Sequence, residues 1–146
     1  MSEKEVKIRK MTDDDLLRVR EIDLLLAGEG RALSWPLSVE TEWSLSPYRP
    51  IMSFVAYKGD EIIGFLVGDM KGPEYGLEIS GWIDMIGIAP QYQKQGVGRK
   101  LVEAFCEECE RNELKLNVII REDDEQLMSF WNSLGLRRGK LISLER

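Results

Sequence analysis

The sequence contains no histidine and only two cysteines, Cys106 and Cys109. Catalysis by a Ser-His-Asp or Cys-His arrangement is therefore excluded, because both need an imidazole base. The two cysteines lie inside a stretch of helical pattern, whereas a thioredoxin-type pair sits at the start of a helix. Without histidine to complete a site, we expect no bound metal and two packed or half-exposed thiols. A general base must then be a carboxylate, a tyrosine, a lysine or a water molecule.

Long uncharged apolar runs are also missing. None approaches the roughly 20 residues that cross a bilayer, and the N-terminus lacks the apolar segment of a signal peptide. We therefore expect a cytoplasmic protein without a membrane partner. The net charge of −6 over 146 residues argues against nucleic acid as a partner, since that binding rests on basic patches. The length suits a single domain covering residues 1–146.

Turn residues and apolar periodicity divide the chain into alternating strands and helices. We predict strands at Val6–Arg9, Ile51–Tyr57, Glu61–Met70, Leu77–Ala89, Leu114–Arg121 and Lys140–Leu144. We predict helices after the cap Thr12, within Val39–Leu45, from Gly98 to about Asn112, and from Asp123 or Asp124 to a stop at Gly135. The three middle strands should form an antiparallel meander, and the continuously apolar strand after them suits a buried parallel position. The order β-α-(α)-β-β-β-α-β-α-β indicates an α/β fold, α+β in some schemes, with a mixed sheet and helices on both faces.

The connection Ala27–Pro50 breaks this regular pattern with glycines, prolines and interspersed aromatic residues. Aromatic side chains in a long irregular connection either cover the edge of the core or line a binding pocket. In the second case this segment would select the substrate, although it contains no motif that identifies one.

The most informative stretch joins Trp82–Pro90 to Gln91–Lys100. A strand stopped by proline leads through a polar turn to Gly96 and Gly98, and then into an amphipathic helix. Glycines let the backbone approach a ligand, and free N–H groups at a helix start attract an anion such as phosphate. Neither the G-x-G-x-x-G fingerprint nor the P-loop pattern is present. The stretch therefore indicates a cradle for a pyrophosphate, with positive charge added by Lys94, Arg99 and Lys100.

Three segments carry a resemblance to a known family. The run QKQGVG at residues 93–98 resembles the Q/R-x-x-G-x-G/A acetyl-CoA signature of the GNAT acetyltransferase superfamily. Upstream, Ile8-Arg9 before an acidic helix start and the hairpin run FVAYKGDEIIGFLVG are similar to the opening elements of that family. Downstream, FWNSLGL at residues 130–136 resembles its F-Y-x-x-L-G-F segment. The similarity covers nearly the whole chain in the right order.

The resemblance implies a GNAT-like, mostly antiparallel central sheet of six to seven strands, with acetyl-CoA as co-substrate. It implies that the pantetheine arm pairs like an added strand with the backbone of Ile86, Gly87 and Ile88, where the sheet splays apart. It implies that the pyrophosphate is held by the backbone of Gln93, Lys94, Gln95, Gly96, Val97 and Gly98, and by Arg99. The amine of a protein N-terminus, a lysine or a small molecule then attacks the thioester directly, while a backbone N–H near Ile88 polarises its carbonyl. No metal and no acyl-enzyme are required.

Three positions depart from the family pattern. Trp131 stands where many members carry a tyrosine that protonates the leaving thiolate, and indole cannot supply that proton. Either Tyr92 or Tyr48 acts as the acid, or the thiolate leaves unassisted, or the chain binds coenzyme A without efficient catalysis. Asp84, on the strand near the position of a glutamate in some members, is the candidate base, the alternative being a solvated or salt-bridged aspartate. Asp124 replaces a frequent coenzyme-contacting asparagine, and we expect it to keep that contact.

Two alternatives to an N-acetyltransferase stay open. A non-catalytic acyl-CoA-binding module would bind coenzyme A without turnover. A nucleotide-binding domain would exchange its ligand for ATP or NAD and be indifferent to pantetheine. An edge strand at Lys140–Leu144 would offer a route to a homodimer.

Overall fold

The computed structural model describes residues 5–27 and 52–146. The strands are β1 (Val6–Lys10), β2 (Phe54–Lys58), β3 (Glu61–Lys71), β4 (Ser80–Ile88) and β5 (Lys115–Val118). The α-helices are α1 (Leu16–Ala27), α2 (Val97–Arg111) and α3 (Glu125–Ser133). The short helix predicted within Val39–Leu45 lies outside the described residues. In the ranges that are described, no helix has both the length and the apolar character needed to cross a membrane.

The strands form one mixed sheet in the order β1-β2-β3-β4-β5. Antiparallel pairing joins β1 to β2, β2 to β3 and β3 to β4, whereas β5 runs parallel to β4. The predicted meander and the predicted parallel strand after a helix are therefore confirmed. Helix α1 packs on one face of the sheet, and α2 with α3 packs on the other. Helices on both faces are thus confirmed as well.

The sheet contains five strands in the described ranges, fewer than the six to seven expected. The strand predicted at Lys140–Leu144 was wrong: these residues adopt no regular structure, and the Ile142 side chain is 83% exposed. An alternating apolar pattern becomes a strand only beside a neighbour that offers backbone hydrogen bonds. The fifth strand is also shorter and less buried than predicted, since it lies at the end of the strand order and Ile119 just beyond it is 70% exposed.

Close packing of α2 on the sheet depends on two glycines. A Cβ on Gly68 would collide with the ring of Phe105, and one on Gly81 would collide with the Cys109 sulfur. Both helix residues are buried, and burial raises the pKa of the Cys109 thiol to about 11. Because the thiolate is the reactive form, Cys109 and the half-buried Cys106 are packed thiols, as predicted.

An ion pair stabilises the turn that precedes α1. Arg9 Nη1 and Nη2 each donate to one carboxylate oxygen of Asp15 at 2.8 Å, and the Thr12 N–H donates to the same carboxylate at 2.8 Å. Thr12 therefore begins this helical region as predicted, with Asp15 closing the turn back onto it. The hydrogen bond from Arg9 lowers the pKa of the Asp15 carboxyl below its ordinary value.

Replacing Asp15 with asparagine should destabilise the fold by about 1–3 kcal/mol at neutral pH, the order that hydrogen bonds to charged groups contribute. Since the folded-state pKa of Asp15 is lowered, this stabilisation is complete above the ordinary carboxyl pKa of about 4 and is lost as the pH falls through the folded-state pKa. Urea unfolding should therefore show a gap between wild type and Asp15→Asn that narrows in acid. The exposed Asp13→Asn change in the same turn should cost little, and an equal loss in both variants would contradict the ion-pair account.

Candidate functional site

Strand β4 leaves its neighbour β5 halfway along its length. The parallel pairing runs from Ser80 opposite Lys115 to Ile83 opposite Val118 and ends there. The register on the β3 side shifts at the same point, because Gly68 faces Ile83 while Val67 faces Met85, so that Asp84 is the extra residue of a bulge. Beyond the bulge β4 continues to Ile88 with β3 as its single partner among the strands that the structure describes. We call residues 84–88 on the side away from β3 the open edge.

Backbone groups at the open edge point away from β3. The Ala89 N–H donates to the Ile63 carbonyl at 2.8 Å, so the alternation of an antiparallel ladder turns the N–H and C=O groups of Ile86 and Ile88 outward. The Ile88 carbonyl accepts a hydrogen bond from Gln93 Nε2 at 3.0 Å, in agreement with this direction. Gly87 lies between them against Leu26 and Phe65, where a Cβ would come within 2.7 Å of both side chains. The open edge therefore presents Ile86 and Ile88 as an extended backbone to which a polar chain can be added.

The turn that follows β4 places backbone N–H groups beside this edge. Lys94 (φ 63°) and Gly96 (φ 83°) are both left-handed, a conformation that costs strain at the lysine and little at the glycine. Gly96 precedes the first residue of α2 and makes no side-chain cap, so the first N–H groups of the helix keep their hydrogen-bonding capacity for a ligand.

Some side chains of the turn donate hydrogen bonds to its backbone, and others are exposed. Gln93 is tied to the Ile88 carbonyl, and Gln95 Nε2 donates to the Gln91 carbonyl at 3.2 Å. Val97 is 2% exposed and anchors the helix in the core, whereas Lys94 and Arg99 are exposed. The turn therefore has a backbone held by side-chain hydrogen bonds and carries exposed positive charge.

Gly98 connects the turn with the open edge. A Cβ built there would lie 3.7 Å from Cζ of Phe130 on α3 and 3.9 Å from Cδ1 of Ile86 on β4. The start of α2, the middle of the open edge and α3 thus meet at one place. The structure therefore brings together the two predicted coenzyme-binding segments, residues 86–88 and 93–99.

Asp84 is engaged by a lysine that the sequence analysis did not consider. Lys71 Nζ lies 2.7 Å from Asp84 Oδ1 and 5.7 Å from the centre of the Trp82 ring. The Trp82 indole N–H donates to the Lys71 carbonyl at 3.0 Å. The candidate base at the bulge is therefore salt-bridged, and its side chain is 33% exposed.

Tyr92 and Asp124 have local partners. The Tyr92 hydroxyl donates to Glu61 Oε2 at 3.0 Å, and this bond to a carboxylate raises the pKa of Tyr92. Glu61 begins β3, whereas the bulge that holds Asp84 lies farther along that strand, beside Val67 and Gly68. Asp124 Oδ1 accepts the Leu127 N–H at 3.0 Å and caps α3. The sequence could not show the Tyr92–Glu61 contact, because it joins residues 31 positions apart. Asp124, by contrast, begins α3 as one of the two predicted starting residues.

Trp131 belongs to the core. Its side chain is 3% exposed, and its ring meets the Phe130 ring edge-on at 5.0 Å between centres. Tyr48, the other candidate acid, lies outside the described residues. Within residues 5–27 and 52–146, no three His, Cys, Asp or Glu side chains come together in a way that could hold a metal ion.

Known proteins match most of this chain. Residues 20–136 match the Acetyltransferase (GNAT) family. N-alpha-acetyltransferase 30 of Schizosaccharomyces pombe is 33% identical over 94 residues, which are 64% of this chain and 62% of that protein. The matched stretch therefore spans less than two thirds of the length of that relative.

Solved structures share the fold at lower identity. An aminoglycoside acetyltransferase from an uncultured soil metagenomic sample, in complex with trehalose, superposes with a TM-score of 0.75 at 17% identity and covers 97% of this chain and 95% of its own. Arabidopsis thaliana Naa50, in complex with the bisubstrate analogue CoA-Ac-MVNAL, superposes with a TM-score of 0.65 at 17% identity over 89% of this chain and 82% of its own. Because the family match extends over most of the sequence, this chain belongs to the acetyltransferase (GNAT) family, which confirms the predicted family.

Proposed function

We propose that this chain transfers the acetyl group of acetyl-CoA to the α-amine of a peptide by direct attack on the thioester. The observation that carries the proposal is the meeting of the open edge of β4 with the uncapped, glycine-containing start of α2. A long ligand with a pyrophosphate at one end and an amide-containing arm at the other matches both features. Acetyl-CoA is such a ligand.

The coenzyme would be held mainly by backbone. The arm would pair with the outward N–H and C=O groups of Ile86 and Ile88, and the pyrophosphate would accept from the N–H groups of residues 93–98 with Arg99 beside it. An arm that runs from the turn toward the bulge brings its thioester near Asp84. A backbone N–H of the open edge would then polarise the thioester carbonyl.

The preference for an α-amine rests on the state of the base. Asp84 is paired with Lys71, and this pairing makes the carboxylate a weaker base, so an acceptor that loses its proton easily is favoured. An α-amine with a pKa of about 8 loses its proton at a cost roughly 3 kcal/mol lower than a lysine with a pKa of about 10.4. The similarity to N-alpha-acetyltransferase 30 supports the same acceptor class.

The leaving group would depart as thiolate without an acid. Trp131 is buried and has no acidic proton, and the Tyr92 hydroxyl is bound to Glu61 at the start of β3, away from the bulge. Thiols are far more acidic than alcohols, with a pKa of about 8.5 for an unperturbed cysteine, so a thiolate can leave without an acid. We therefore propose that Tyr92 supports the β2–β3 hairpin through Glu61. Catalysis would then depend on the positioning of the two substrates and on Asp84.

A non-catalytic acyl-CoA-binding module is the second candidate. The buried tryptophan and the salt-bridged aspartate favour it, because they remove the obvious acid and occupy the obvious base. Both candidates predict coenzyme binding, and only turnover separates them.

Two peptides test the acceptor class. One carries a free α-amine and no lysine, and the other has a blocked N-terminus and one lysine. Chromatographic detection of acetylated product, with acetyl-CoA in excess, should show turnover of the first peptide well above its uncatalysed rate and little of the second. Tight acetyl-CoA binding with neither peptide converted, over a varied set of N-terminal residues, would favour the binding module instead.

A further inference from the structure

An amine of the chain itself is bound to the carboxylate that we propose as the base. Lys71 Nζ lies 2.7 Å from the carboxylate of Asp84, over the face of the Trp82 ring at 5.7 Å. A carboxylate and an aromatic face are the two groups that bind an ammonium ion most directly. Of the two paired side chains, Lys71 is 25% and Asp84 33% exposed, so both are partly accessible to solvent.

The backbone holds this lysine in position. Lys71 pairs with Ser80 at the end of the β3–β4 ladder, and its carbonyl accepts the Trp82 indole N–H at 3.0 Å. Asp84 is the bulge residue at the point where β4 separates from β5. A thioester that lies along the open edge and extends toward the bulge would therefore come close to Lys71 of the same chain.

We propose that Lys71 is a self-acetylation site, a proposal that rests on the proposed use of acetyl-CoA. At mildly alkaline pH the Lys71 ammonium first loses one proton to solvent. The neutral Nζ then attacks the thioester carbonyl carbon, a C–N bond forms, the C–S bond breaks, and coenzyme A leaves as thiolate. Asp84 accepts the proton released by the nitrogen and passes it to solvent, and the thiolate takes up a proton from solvent. The product is an uncharged N-acetyl-lysine and free coenzyme A.

The modification has a direct structural consequence. An acetylated Lys71 carries no charge and no longer forms the ion pair with Asp84. The carboxylate is then free to accept the proton of an incoming amine. Self-acetylation of Lys71 thus turns the salt-bridged aspartate into the free base that N-acetylation of a peptide needs.

The test follows acetylation lysine by lysine, by peptide mass spectrometry of the purified full chain incubated with acetyl-CoA at mildly alkaline pH. Exposed Lys7 and Lys140 report the uncatalysed chemical background. Because an amine held beside the bound thioester has a raised effective concentration, Lys71 should react at least about tenfold faster than these two. The rate constant should not change when the protein is diluted, since the reaction is intramolecular.

Variants distinguish acetylation that depends on bound acetyl-CoA from acetylation of a lysine that is simply reactive. Gly98→Glu, designed to block the coenzyme, should bring Lys71 down to the background rate, whereas Gly139→Glu, which adds the same charge in open space outside the turn, should leave the excess intact. Binding of acetyl-CoA with Lys71 no faster than Lys7, or a Lys71 excess that survives in Gly98→Glu, would overturn the proposal. Absence of acetyl-CoA binding would instead count against the proposed function itself.

Discussion

Replacing Gly98 with glutamate should abolish measurable binding of acetyl-CoA. The new carboxylate would project from the first turn of α2 toward Phe130 and Ile86, where the turn meets the open edge. It would both fill that place and repel a pyrophosphate at close range. We expect affinity to fall at least about 100-fold, or roughly 2.7 kcal/mol, in isothermal titration.

Two control variants isolate the cause. Gly98 does not have a positive φ, and the Cβ of Gly98→Ala would make ordinary contacts of 3.7 and 3.9 Å, so this variant should fold. Gly139→Glu adds the same charge where a Cβ meets nothing within 4 Å. Full binding by Gly98→Glu, or an equal loss in Gly139→Glu, would show that the coenzyme does not lie at the start of α2.

Replacing Asp84 with asparagine should lower kcat for peptide acetylation by about 100-fold or more, the usual effect of removing a general base. The KM for acetyl-CoA should change little, because the proposed contacts of the coenzyme are made by the backbone of residues 86–98. The fold should survive, since a partly exposed ion pair contributes about 0–1 kcal/mol. Steady-state kinetics with the α-amine peptide and a urea unfolding curve measure both quantities.

The matched control is Asp123→Asn. Asp123 is exposed and paired with Arg121 at 2.8 Å, so this change removes the same charge from a salt bridge outside the site. It should leave kcat unchanged. If Asp84→Asn kept most of the wild-type kcat, Asp84 would not be the general base, and its role would be limited to the ion pair with Lys71.

Local signals were enough to predict most of the fold. Strands β1 to β4 and helices α2 and α3 follow from apolar periodicity, turn residues and caps that act within a few positions. The wrong strand at Lys140–Leu144 has the same local pattern as the correct ones. What it lacks is a neighbouring strand, and pairing between distant segments is not visible in a local pattern.

Some residues of the candidate site could likewise be located from local sequence, and others could not. The glycine turn could be located because phosphate binding at a helix start needs a short, contiguous set of residues. The partner of Asp84 could not, because Lys71 lies 13 positions away and reaches it only through the β3–β4 pairing and the bulge. Phe130 belongs to the FWNSLGL segment that resembles the family, but its short distance from Gly98 depends on how α3 packs against α2.

The central claim is that one acetyl-CoA molecule binds along β4 and the start of α2, with its pantetheine arm contributing. Isothermal titration of the wild-type chain with acetyl-CoA, repeated in the presence of excess ATP or NAD, tests it most directly. We predict binding of one acetyl-CoA per chain that neither nucleotide displaces, because neither carries the arm that pairs with the open edge. No binding of acetyl-CoA, or its full displacement by ATP, would contradict the account and favour a nucleotide-binding site at the same turn.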